Sequence, residues 1–154
     1  MSPVKAVHVL LTTDGSELAP IVAQRGLSLL SPPDQVTLLT VITKARIYVD
    51  DDEFTEPDAP LDEQDRLWQS QINEAKAAIA RTANQVTLTR VDERIEAGDA
   101  GPTICDVARE LKVDTIVIGS RARHHRGPFH SSVTEHVVRH APCAVLVVHA
   151  DSKS

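Results

Sequence analysis

The chain has 154 residues, of which 42% are hydrophobic, and a formal net charge of −6. This length and apolar content favour one compact domain. The negative charge argues against binding to nucleic acid or to anionic membrane surfaces, because an acidic domain repels polyanions. Only four residues are aromatic, so we expect a core of Val, Leu, Ile and Ala, which is typical of parallel sheets covered by helices.

The first elements alternate between strand and helix patterns. Residues 6–12 (AVHVLLT) predict a strand, and residues 14–16 predict a turn in which Ser16 is the N-cap of the next helix. Apolar residues three and four apart over 19–30 give that helix one side facing the core. Residues 36–42 predict a second strand that is buried on both faces.

An acidic segment follows the second predicted strand. Asp50–Asp65 contains nine carboxylates and no basic residue, and its prolines, Pro57 and Pro60, disfavour a core element. We therefore expect a mobile surface loop over about 44–65. The carboxylates lack the ordered spacing and the glycine of a calcium loop, so no metal site is predicted here.

The rest of the chain continues the alternation. The predicted elements are a helix over 67–83, an edge strand over 86–96, a helix over 102–111, a strand over 115–118, a helix from 133 to 138 and a strand over 144–148. Five strands separated by helices, with no hairpin signal, predict an α/β fold: a doubly wound, five-stranded parallel sheet with helices on both faces, of the Rossmann-like kind. We expect one domain over 1–150 and a tail at 151–154.

Thr115–His140 has the order strand, loop, helix N-terminus, which points backbone N–H groups and the positive end of a helix dipole at a natural phosphate site. In a doubly wound sheet, ligands bind beyond the carboxyl ends of strands where the strand order reverses. If the first and fourth strands are neighbours, Asp14 and Gly119 border one crevice. Asp14 would then accept hydrogen bonds from ribose hydroxyls or hold a hydrated cation; as an alternative, it is only a turn residue that caps the first helix.

The loop after the fourth strand is basic, with Arg123, His124, His125 and Arg126 in a row. These side chains suit an anion, although a solvated loop between two core elements would have the same composition. A metal site that uses these histidines and His130 lacks a carboxylate nearby in sequence, so no metal is predicted.

Three segments make the chain resemble a universal stress protein of the single-domain type. They are VLLTTDGSELA at 9–19, AGDAGPTICDVARELKVDTIVIGSR at 97–121 and SSVTEHVVRHAPCAVLVV at 131–148. The resemblance implies the strand order 3-2-1-4-5, in which the first and fourth strands are neighbours. It also implies a homodimer through the fifth strand, Ala144 to Val148, whose apolar edge would otherwise be open to aggregation.

Family members that bind adenine nucleotides resemble G-x2-G-x9-G-[S/T] after the fourth strand. This chain keeps Gly119 but has Ala122 at the second glycine and Ser131 at the third, and the interval between Ala122 and Ser131 is one residue short. A Cβ at a loop glycine restricts the backbone and the approach of a phosphate. Arg121, Arg123 and Arg126 offer charge-assisted hydrogen bonds that could compensate.

The resemblance implies a stress-response regulatory protein that binds ATP, ADP or AMP, with Mg²⁺ as a companion ion of ATP. The nucleotide-binding residues implied are Thr12, Thr13, Asp14, Val41, Gly119, Arg121, Ala122, Arg123, Arg126, Ser131, Ser132, Val133 and Thr134. The alternative is a dimeric interaction protein of the same fold without nucleotide, and a weaker one is a slow nucleotide hydrolase. No catalytic residue is predicted, since no Walker lysine or G-x-S-x-G elbow occurs.

Two further expectations concern the environment of the chain. Residues 1–30 show no signal-peptide pattern and no apolar run approaches a membrane span, so we expect a cytoplasmic protein that acts through regulatory partners the sequence does not identify. Cys105 and Cys143 have no metal-type spacing, and we expect both to be reduced, packed thiols.

Overall fold

The computed structural model describes residues 8–14, 16–42, 61–86, 90–120 and 132–149. Strands and helices alternate through this part of the chain. The strands are β1 (His8–Thr12), β2 (Gln35–Ile42), β3 (Val91–Ala97), β4 (Thr115–Ser120) and β5 (Ala144–His149). The helices are α1 (Ala19–Ser28), α2 (Leu61–Gln85), α3 (Ala100–Leu111) and α4 (Ser132–His140).

The five strands form one sheet in the order β3-β2-β1-β4-β5, and all pairs are parallel. Both the predicted fold class and the predicted strand order are confirmed. β1 lies in the centre, where Leu11 pairs with Leu38 of β2 on one side and with Val117 of β4 on the other. The strand order reverses between β1 and β4, so their carboxyl ends open a crevice at this position.

The core has two halves, one on each face of the sheet. On one face, Val9 and Leu11 of β1 pack with Val22 of α1 and Ile79 of α2. On the other face, Leu10 packs in the cluster that contains α3 and α4. Successive residues of β1 thus point to opposite faces, and both faces are covered, which explains why the middle of the strand, residues 9–11, is apolar without interruption.

α1 begins later than the sequence predicts. Its N-cap position is Leu18, which has a helical backbone and makes no side-chain cap hydrogen bond, so the expectation that Ser16 caps the helix is wrong. A proline at the start of α1 fixes φ near the helical value and needs no N–H partner, so the helix can begin without a side-chain cap.

α2 begins at Leu61, so the last five residues of the loop expected over 44–65 are helical. A helix N-terminus carries positive partial charge, and an acidic sequence such as LDEQD at 61–65 is therefore compatible with a first turn. Residues 43–60 and the predicted tail at 151–154 lie outside the described residues. In the described residues, no helix is both long enough and apolar enough to span a membrane.

Both cysteines are free thiols in the cluster between the sheet and α3. Burial is the main cause that raises the pKa of the Cys105 thiol, and burial likewise raises the pKa of Cys143. A raised pKa means that less thiolate is present at a given pH, so these thiols are poor nucleophiles.

Candidate functional site

A pocket of about 380 Å³ lies at the carboxyl ends of β1, β2 and β4, between α1 on one side and α3 and α4 on the other. Every predicted site residue whose side chain the structure describes lines this pocket. These residues are Thr12, Thr13, Asp14, Val41, Gly119, Val133 and Thr134. The pocket therefore occupies the crevice that the sequence analysis predicted from the order of the strands.

The end of β1 is tied to both neighbouring strands. The Thr12 hydroxyl donates a hydrogen bond to the carbonyl oxygen of Val117 in β4, at 3.3 Å. On the other side, the Thr13 N–H donates to the carbonyl oxygen of Leu39 in β2, at 2.9 Å. These two bonds position Asp14, the second residue after β1, at the pocket.

Asp14 is exposed, and its Oδ1 accepts a hydrogen bond from the backbone N–H of Ser16 at 2.9 Å. This short-range bond is the arrangement of a turn residue. It does not cap α1, which begins only at Ala19. Asp14 is also the one charged side chain among the pocket-lining residues that the structure describes.

Gly119 has a packing role that the sequence motif alone did not suggest. A Cβ built at residue 119 would lie 2.9 Å from Cγ2 of Val22 and 3.3 Å from its Cγ1, closer than ordinary van der Waals contact. The described glycine with positive φ is Gly98, not Gly119. A larger residue at 119 would therefore have to displace Val22, because α1 lies directly against β4 at the pocket wall.

α4 closes the far side of the pocket. It begins at Ser132, and Val133 and Thr134 of its first turn line the pocket. The first turn of a helix has N–H groups without partners inside the helix and carries positive partial charge. This end of the pocket is therefore suited to an anionic group, whereas the β1 end presents oxygen atoms that accept hydrogen bonds.

Much of the wall is apolar and comes from residues that the sequence analysis did not assign to the site. Apolar side chains from α1, β2, α3 and β4 face the pocket, and Ala100, Ser16 and Ser120 complete its lining. The apolar members are Leu18, Ala19, Val22, Leu39, Ile104 and Ile118. The helical spacing of Leu18 with Val22, and of Ala100 with Ile104, marks them as one side of a helix, but it does not distinguish a pocket wall from the core.

Five predicted site residues lie outside the described residues. They are Arg121, Ala122, Arg123, Arg126 and Ser131. Their part in the site rests on the sequence alone, as does that of the histidines at 124, 125 and 130. Ser132 is the first residue of α4.

The doubly wound parallel sheet, with a pocket at its switch point, places the chain among the Rossmann-like α/β proteins, and comparison with known sequences identifies its family. The profile of the universal stress protein family matches residues 7–149. A protein of Staphylococcus haemolyticus named as a universal stress protein is 29% identical over 146 residues, covering 94% of this chain and 85% of the relative. The chain belongs to the universal stress protein family.

Solved structures share the fold over nearly the whole chain. UspA from Lactobacillus plantarum has a TM-score of 0.68 at 24% identity and covers 94% of this chain and 98% of its own. A family protein from Arabidopsis thaliana with AMP bound has a TM-score of 0.65 at 15% identity, covering 95% and 93%. A universal stress protein in complex with cAMP has a TM-score of 0.56 at 21% identity, covering 94% and 98%.

Proposed function

We propose that this chain binds an adenine nucleotide (ATP, ADP or AMP) in the pocket between β1, β4 and the first turn of α4. The observation that carries the proposal is the pocket itself, which lies at the switch point and is lined by the predicted residues. Its volume of about 380 Å³ falls in the range of pockets that bury small ligands. The AMP and cAMP in the two related structures support an adenine nucleotide as the ligand.

The lining suggests how the ligand is oriented. The apolar wall near Val41 suits the flat face of adenine. The Asp14 carboxylate is an acceptor for ribose hydroxyls, and the first turn of α4 suits the phosphates. When ATP arrives as its Mg²⁺ complex, Asp14 supplies a carboxylate of the kind that holds hydrated Mg²⁺.

The loop after β4 supplies the cations in this proposal. In this proposal, Arg121, Arg123 and Arg126 supply the positive charge that neutralises the phosphates. Ala122 and Ser131 complete the loop backbone around them. Arginine contacts thus replace the glycine-rich geometry that this chain lacks.

In the cell, we propose that nucleotide occupancy alters the shape or the partners of a cytoplasmic stress-response regulator. The proposal is one of nucleotide binding, and Asp14 is the charged side chain that the described lining contributes to it.

A second candidate function is a dimeric interaction protein that uses the same fold without nucleotide. It is favoured by the replacement of two glycines of the phosphate motif by Ala122 and Ser131, together with the apolar edge strand β5. In both candidates, we propose that two copies pair through β5, which is an edge of the sheet and carries half-buried Val145, Leu146 and Val147.

The nucleotide content of the purified protein separates the two candidates. Protein purified without added nucleotide is denatured, and the released small molecules are identified by mass. A stoichiometric adenine nucleotide supports the binder, and AMP, ADP and ATP are distinguished directly. Protein that releases none and takes up none at millimolar concentration supports the interaction protein.

A further inference from the structure

Two buried hydroxyl groups connect the residue after β1, Thr13, to α2. The Thr13 hydroxyl lies 3.3 Å from that of Thr82 in α2, and the Thr82 hydroxyl donates to the carbonyl oxygen of Ala78 at 3.0 Å. Thr82 is 1% exposed and Thr13 is 5% exposed. Thr13 lines the pocket, whereas Thr82 is not among the pocket-lining residues in the described part of the chain.

The direction of these hydrogen bonds follows from counting protons. A hydroxyl group has one proton to donate. The proton of Thr82 is directed to the Ala78 carbonyl, so the Thr13 hydroxyl donates and the Thr82 oxygen accepts. This bond links the Thr13 hydroxyl to α2.

Two further hydrogen bonds hold the main chain of Thr13. Its N–H donates to the Leu39 carbonyl at 2.9 Å, and its own carbonyl accepts from the Thr40 hydroxyl at 3.0 Å. The bond to Thr82 adds a contact with α2 to these two contacts with β2. Because Asp14 follows Thr13 directly, these bonds restrict where the Asp14 carboxylate enters the pocket.

We propose that Thr82 is a positioning residue for the ligand site, which acts through the Thr13 hydroxyl to hold the end of β1 that presents Asp14. This inference rests on the proposed nucleotide function. It adds to that function a residue 69 positions away in the chain, on a helix that does not line the pocket. Preorganised groups contribute more to binding than mobile ones, because they lose less conformational freedom on association.

The test uses two variants at residue 82 and one control. Thr82→Val keeps the side-chain shape and removes the acceptor oxygen, whereas Thr82→Ser keeps the oxygen. The matched control is Thr37→Val, because Thr37 is also buried on the sheet (4% exposed) and its hydroxyl pairs with Nε2 of His8 at 2.8 Å. Thr37 lies toward the amino end of β2, away from the pocket.

Affinity for AMP is measured by titration calorimetry at a temperature where all variants are folded. We expect Thr82→Val to bind about five- to tenfold more weakly, as for the loss of one neutral hydrogen bond. Thr82→Ser should restore most of the affinity, and Thr37→Val should bind like wild type even if its melting temperature falls. Equal affinity of Thr82→Val and wild type, or equal weakening by Thr37→Val, would overturn the inference.

A measurement without ligand distinguishes failure of the inference from failure of the proposed function. Amide hydrogen exchange of Thr13, whose N–H bonds to Leu39, should quicken in Thr82→Val and stay at the wild-type rate in Thr37→Val. Unchanged exchange at Thr13 contradicts the positioning role alone. A wild-type protein that binds no AMP contradicts the proposed function, and with it the role of Thr82 in binding.

Discussion

Val22 of α1 and Gly119 of β4 face each other so closely that a Cβ at residue 119 would lie 2.9 Å from Val22 Cγ2. Both residues line the pocket. The glycine therefore lets α1 pack on the sheet at the point where the pocket opens. The family motif contains a glycine here, and in this chain its physical reason is helix-to-strand packing.

Gly119→Ala is expected to lower the free energy of unfolding by about 1–3 kcal/mol, the usual cost of adding a methyl group to a packed site. It should also weaken nucleotide binding, since the displaced Val22 side chain lies in the pocket wall. Urea unfolding and ATP titration measure the two effects.

The control for this prediction is the double variant Val22→Ala, Gly119→Ala. Removing the Val22 methyl groups makes room for the new Cβ, so Gly119→Ala should cost less stability in the Val22→Ala background than in wild type. Equal costs in the two backgrounds would show that the contact with Val22 is not the reason for the glycine.

The fold class could be predicted from the sequence because the strand and helix patterns alternate along the chain without a hairpin signal. Asp14 and Gly119 could be assigned to one crevice because each lies at the carboxyl end of a strand. The family resemblance implied the strand order in which those two strands are neighbours. Ile104 and Ala100 could not be assigned, since an apolar helix side has the same spacing in a pocket wall and in a core. The partnership of Thr13 with Thr82 spans 69 residues and depends on how α2 packs, which local patterns do not specify.

The two cysteines should react slowly with alkylating reagents in the folded protein. Cys105 is 3% exposed, and burial raises the pKa of both thiols. Because the unfolded chain loses these protons at lower pH than the folded chain, stability should fall as pH rises above about 8.5. Labelling with iodoacetamide at pH 8, with and without urea, checks the first statement; rapid labelling of both thiols in the folded protein would contradict it.

Val147→Lys is expected to convert the proposed dimer into a folded monomer, because a charge on the β5 edge opposes strand pairing. Val147→Thr is the matched control, since it keeps the branched shape without adding a charge. Sedimentation at low micromolar concentration and circular dichroism measure association and folding. A dimer that persists in Val147→Lys would exclude β5 as the interface.

If Arg123 and Arg126 compensate for the lost glycines, the double variant Arg123→Ala, Arg126→Ala should bind ATP more weakly. Each good charge-assisted hydrogen bond contributes on the order of 1.5–3 kcal/mol, so the loss should exceed about tenfold. Affinity should also rise as pH falls from about 8 to 6, because histidines with ordinary pKa values gain positive charge in that interval. The histidines concerned are His124, His125 and His130.

A control variant with the same change in net charge is Arg109→Ala, Arg139→Ala. Both arginines are exposed and pair on their own helices, Arg109 with Asp106 at 3.1 Å and Arg139 with Glu135 at 2.8 Å. The control should bind ATP like wild type. ATP binding that is insensitive to pH and to both loop arginines would instead assign the phosphate contacts to backbone N–H groups near Gly119 and Ser132.

The measurement that tests the central claim most directly is calorimetric titration of ATP into the wild-type protein and into Asp14→Ala, together with thermal unfolding at each ATP concentration. We predict a saturable heat with one site per chain and a melting temperature that rises with ATP, because a ligand of the folded state stabilises it by mass action. Asp14→Ala should bind more weakly and show a smaller rise. No heat and no change in melting temperature at millimolar ATP would contradict nucleotide binding by this pocket.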